Sequence, residues 1–100
     1  MDNEKFIEFL ETVKTDKGEH LSPKAIKERV KWVGRVEREF NISIDSIVAD
    51  KEKTLDLIEN VMNCENISAK QRYNFPNGIR YYFEFRNGTK LGTLRENNRR

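Results

Sequence analysis

Apolar residues recur at helical spacing in three stretches of the chain, and at an ambiguous spacing in a fourth. Phe6, Phe9, Leu10 and Val13 share one face, with Ile7 beside them, and predict a first helix over about 3–15. The loop "TDKGEH" follows, with a glycine and no periodicity. Ser22-Pro23 pairs an N-cap with a proline at the first helical position, which opens a second helix. Its apolar stripe is Ile26, Val30, Val33 and Phe40, widened by Trp32 and Val36, and Asn41 is the expected C-terminal stop. The short "ISIDSIV" reads as a tucked connector. A further helix over about 50–63 starts at Asp50 and carries Leu55, Ile58, Val61 and Met62.

The fourth stretch, "NFPNGIRYYFEFRNG" over 74–88, supports two incompatible readings. Ile79, Tyr81, Phe83 and Phe85 alternate with polar residues between two turn-like motifs, Pro76-Asn77-Gly78 and Asn87-Gly88, which is a strand period. Phe75, Ile79, Tyr82 and Phe83 equally form one face of a helix. Upstream, Ser68-Ala-Lys-Gln71 is a capping-box pattern, which favours a helix from Ala69. That helix must carry Pro76 in its interior, at a cost of about 3 kcal/mol or a kink. The expected fold is therefore all-α, a four- to five-helix orthogonal bundle over 1–88 whose last helix is kinked at Pro76. A basic flexible tail or linker, 89–100, completes it. The competing fold is an α+β domain with a C-terminal meander through 70–95.

Net charge sharpens this picture only when divided along the chain. The total is +2, but 1–20 carries −3, 21–40 carries +3, 41–69 carries −4 and 70–100 carries +6. Such alternation is able to put positive charge on one side of a folded molecule. Within the second helix, Lys24, Lys27, Lys31, Arg35 and Arg38 fall within an arc of about 80° opposite the apolar stripe. Glu28, Glu37 and Glu39 lie off that arc. A row of this kind is also what a solvated outer face looks like. As a binding surface it would neutralise successive phosphates of a nucleic acid. The last helix adds Lys70, Asn74, Asn77 and Tyr81, flanked by Tyr73 and Arg80. Asn and Arg suit base edges, while Lys and Tyr hydroxyls suit phosphates.

Together, "FIEFLETVKTDKGEHLSPKAIKERVKWVGRVEREF" and "ISAKQRYNFPNGIRYYFEFRNG" resemble the N-terminal core-binding (SAM-like) domain of tyrosine recombinases, the phage integrases. That family carries an F-x-x-[FY]-L core in its first helix, LS-x-x-T-[IV] opening the second, and an ALR-x-[FY]-[FY]-x-[FY] pattern in the last. Leu21-Ser22 with Ile26 matches the second element. Gly78-Ile79-Arg80 with Tyr82, Phe83 and Phe85 matches the third. The resemblance implies a helical bundle forming half of a clamp around double-stranded DNA, with the second and last helices toward the duplex. It implies contacts from Lys24, Lys27 and Lys31, and from Asn74, Asn77 and Arg80. Ala25 stands where the family often has threonine, Arg29 where it often has tyrosine, and Pro76 interrupts the last helix.

Catalytic chemistry is expected to be absent. The family's reaction needs a C-terminal domain with an Arg/Lys/His set and a tyrosine nucleophile, whereas this chain has one histidine, His20, in a loop. Cys64 is the lone cysteine and reads as an inert, half-buried thiol. No Cys/His spacing supports zinc, and no glycine-rich phosphate loop occurs, so no cofactor is expected. At 36% hydrophobic and 36% charged residues with a mean hydropathy of −0.85, the chain reads as a cytoplasmic monomer without a membrane span. The expected role is that of a DNA-binding domain of a recombinase-like protein, with a catalytic domain as its missing partner. The rival role is a small protein-interaction module, such as a phage-encoded regulator or inhibitor.

Overall fold

The computed structural model describes residues 1–92. Five helices follow one another: α1 (Asn3–Thr12), α2 (Pro23–Phe40), α3 (Ile44–Val48), α4 (Lys51–Met62) and α5 (Ala69–Asn87). No β-strand forms among the described residues. Only an isolated antiparallel bridge, Lys14 to His20, closes the loop after α1. The meander is thereby contradicted across its described part.

Local signals place the helix ends. The Asp2, Ser22, Asp50 and Ser68 side chains each accept from a backbone N–H of the first turn. Ser68 and Gln71 form the reciprocal capping box. Asn41 and Gly88 end α2 and α5 in the left-handed conformation, at φ 53° and 74°. Replacing Ser68→Ala removes one half of the box and is expected to lower unfolding free energy by about 1 kcal/mol in urea titrations. The connector "ISIDSIV" is a helix of one and a half turns, held because Ile44 and Val48 are both buried.

Burial decides the ambiguous stretch. Phe75, Ile79, Tyr82 and Phe83 are buried, as the helical period requires. Tyr81 and Phe85, which a strand would place beside Ile79 and Phe83, are only half-buried. Each buried aromatic or aliphatic side chain contributes about 1.5–3 kcal/mol, so four together outweigh the cost of an interior proline. Pro76 is itself buried within α5, which continues as one helix from Ala69 to Asn87. α5 is the central element and packs against all four other helices, most extensively α2 and α4.

Side-chain clamps then fix the connections. The Arg72 guanidinium donates to the carbonyls of Cys64 and Ile67 at 2.9 and 2.7 Å and ties down the α4–α5 loop. Asn87 donates to Val48 and Phe83 carbonyls at 3.0 and 2.9 Å. Leu91 is 2% exposed, so the packed unit extends past the boundary expected at 88. The rest of the expected tail, from 93, lies outside the described residues.

A polar network joins the buried Tyr82 hydroxyl to the surface at the α1–α3–α5 end. The Tyr82 hydroxyl donates to Asp45 Oδ1 at 2.6 Å and accepts from the Asp2 N–H at 3.1 Å. Arg86 Nε and the Met1 ammonium lie 3.5 and 3.4 Å from the same carboxylate. Burial and the Asp45 charge push the Tyr82 phenol up to about 12. Burial raises the Asp45 carboxyl, but the Tyr82 hydroxyl, the ammonium and Arg86 outweigh it and leave it lowered. The signs follow by linkage. The raised phenol stabilises the fold below its unfolded value near 10, and that contribution is lost as pH rises through about 12. The lowered carboxyl stabilises above its unfolded value of 3.8, and its share is lost as pH falls through its folded value. Tyr82→Phe removes the acceptor of the Asp2 N–H and the 2.6 Å donor to Asp45 Oδ1, which keeps only the longer Arg86 contact. It is expected to cost about 2 kcal/mol at neutral pH, and to flatten the alkaline limb of a stability–pH curve between about pH 10 and 12.

Candidate nucleic-acid interface

The core face of α2 is narrower than its apolar pattern suggests. Val33 and Val36 are fully buried, whereas Ile26, Val30, Trp32 and Phe40 are half-buried. The basic row runs along the opposite crest, and a groove opens on each side of it. On the α1 side the lining is apolar: Ile7, Leu21, Pro23, Ile26 and Val30, rimmed by Glu11, Lys27 and Lys31. On the α5 side the lining is polar, with Glu28, Arg29, Lys31, Trp32 and Arg35 from α2 facing Lys70, Gln71, Asn74 and Phe75 from α5. Lys31 borders both.

α2 and α5 approach closely at Gly78. A Cβ there would lie 3.1 Å from Trp32 Cβ and 3.2 Å from Val33 Cγ2. Around this crossing Arg29 is held between two rings, 5.2 Å from the Trp32 centroid and 5.3 Å from that of Tyr81. Its Nη1 donates to the Ala25 carbonyl at 2.9 Å, and its Nε is buried without a hydrogen-bond partner. The Arg29 guanidinium thus links Trp32 of α2 to Tyr81 of α5.

The nine residues singled out from the sequence divide into three groups. Lys31, Arg35, Lys70 and Asn74 are brought together in the polar groove. Arg35 also pairs with Glu39 at 3.3 Å, an exposed i,i+4 contact worth only about 0.3–0.5 kcal/mol, so it can turn to a ligand at little cost. Lys24, Lys27 and Arg38 are exposed on the crest of α2 outside that groove. None of Lys24, Lys27, Lys31, Arg38 and Lys70 has an ion-pair partner among the described residues.

Asn77 and Arg80 form the third group. They line a separate depression with Tyr81, Glu84, Lys90, Leu91 and Gly92. The Arg80 guanidinium donates to the Gly92 carbonyl at 3.0 Å, which engages it in holding the segment after α5. Sequence reasoning passed over Arg29 and Gln71 as groove residues. Arg29 lies well off the basic arc, and Gln71 carried a capping signal that masked any other role.

The groove gathers four cationic side chains and one carboxylate, Glu28. It suits a polyanion whose charges are spaced along it. Among the described residues, no cluster of three His, Cys, Asp or Glu is placed to hold a metal ion. No described helix is long and apolar enough to cross a membrane. Cys64 is half-buried. The fold thus defines a compact all-α domain of five helices. No family model matches the chain, and no curated protein or solved structure shows significant similarity to it.

Proposed function

We propose that this domain binds double-stranded DNA through the polar groove between α2 and α5, in the manner of a recombinase core-binding domain. The observation that carries this reading is the convergence of Lys31, Arg35, Lys70 and Asn74, from helices far apart in sequence, on one groove. Lys31, Lys70 and Arg35 neutralise phosphates, and the exposed crest residues Lys24, Lys27 and Arg38 extend the positive field. Asn74, which carries both an amide donor and a carbonyl acceptor, is the residue suited to a base edge. Three groove cations, each releasing a counterion, give a slope of about −3 in log affinity against log salt, and crest contacts steepen it. Chemistry on the DNA belongs to a separate catalytic domain, and this domain supplies grip. Fluorescence anisotropy of a labelled duplex tests the reading: binding that weakens steeply with salt supports it. Folded protein that shifts no duplex at low salt overturns it.

A second reading, a protein-interaction module, is favoured by the apolar groove between α1 and α2. A stoichiometric protein partner retained after nuclease treatment would select it.

A further inference from the structure

The α1–α2 groove joins an apolar floor to rims of opposite charge. Ile7 is 36% exposed at its edge, and Ile26 and Val30 are only half-buried beneath it. On the α1 side Glu11 lines the groove, and Glu8 stands about one turn before it on the outer side of the helix. On the α2 side stand Lys27 and Lys31. All four are exposed, and none has an ion-pair partner among the described residues.

We infer that this face is the self-association surface of the domain, and that its occupant is the same face of a second copy. The charge layout supplies the reason. A two-fold axis along the groove sets each α1 rim over the partner's α2 rim, so Glu8 and Glu11 meet Lys27 and Lys31 twice per dimer. An axis across the groove would set acid on acid and base on base. A closed isologous pair of the first kind covers Ile7, Ile26 and Val30 on both copies. The ion pairs select partner and register, while the apolar floor supplies the driving force. This departs from the monomer expected from the sequence, and it leaves Lys70, Asn74 and Arg35 of the polar groove outside the face. Lys31 lines both grooves, and Lys27 belongs both to this face and to the crest that extends the DNA-binding field.

Sedimentation velocity on the whole chain over a range of concentration tests the inference. The wild type is expected to double in mass as concentration rises. Glu8→Lys/Glu11→Lys makes both rims basic, and Lys27→Glu/Lys31→Glu makes both acidic. Each variant alone is expected to stay monomeric, with helical content unchanged by circular dichroism, because every changed side chain is on the surface. An equimolar mixture is expected to recover the dimer, since each basic rim then meets an acidic one. A wild type that stays monomeric to millimolar concentration overturns the inference. So does a dimer that survives either reversal, or a mixture that fails to reassociate.

Discussion

Lys31→Glu combined with Lys70→Glu is expected to weaken duplex binding about 50-fold or more at 0.1 M salt. The two residues stand on opposite walls of the polar groove and have no ion-pair partner among the described residues. Each phosphate contact releases about 0.9 of a counterion, which at 0.1 M salt corresponds to roughly eightfold in affinity per contact. Losing two such contacts gives the stated factor, and the introduced carboxylates add repulsion. The log–log salt slope should fall by about 2. Lys51→Glu with Lys53→Glu makes the same change in net charge on exposed α4 positions outside the groove. That control is expected to lower affinity only slightly, through the long-range field. Equal losses in the two variants would mean that net charge, and no particular groove, governs binding. Anisotropy titrations at several salt concentrations separate these outcomes.

Gly78→Leu is expected to cost about 3 kcal/mol or more of stability, among the largest effects of any single change in the bundle. The added Cβ alone meets Trp32 and Val33 at 3.1 and 3.2 Å, and the rest of a leucine side chain has to displace α2. Overpacking of this kind costs about 1–3 kcal/mol and occasionally more. Gly78→Ala is a graded version. Alanine gains about 1 kcal/mol of helix propensity over glycine, which partly offsets its clash and leaves a net loss of about 1 kcal/mol. Urea unfolding of the two variants checks the order. A Gly78→Leu protein as stable as wild type would show that α2 and α5 do not cross at this position. Because the crossing sets the separation of Lys31 from Lys70, Gly78→Leu should also weaken duplex binding in whatever fraction remains folded.

The caps made most of the fold legible in the sequence. Ser22-Pro23, Asn41, Asp50, Ser68 with Gln71, and Asn87-Gly88 mark helix ends through chemistry local to a few residues, and the structure uses each of them. The helical spacing of Phe75, Ile79, Tyr82 and Phe83 outweighed a hairpin-like Pro-Asn-Gly because burial, rather than turn preference, decides where that segment lies. The "ISIDSIV" helix was not legible, since five residues are too few to show a period. Half of the candidate groove was readable as a basic row on α2 and a polar edge on α5.

What stayed hidden depends on tertiary contacts. Arg72 and Arg80 count as positive charge in the sequence, yet both are engaged by backbone carbonyls in the fold. Ile26 and Val30 belong to the apolar stripe but flank a groove instead of filling the core. A helical wheel gives angles around one axis and says nothing about how far away the next helix stands. The role of Gly78 was invisible for the same reason, because a glycine that permits a close helix crossing looks the same in sequence as one that ends a helix.

Chemical-shift mapping with a short DNA duplex tests the central claim most directly. Titrating unlabelled duplex into isotopically labelled protein at low salt should move the amides of α2 around Lys31 and Arg35 and of α5 around Lys70 and Asn74. The Asn74 side-chain amide should be among the largest changes, while α3 and α4 stay still. Shifts confined to the α1–α2 groove, or a spectrum unchanged by excess duplex, would contradict it.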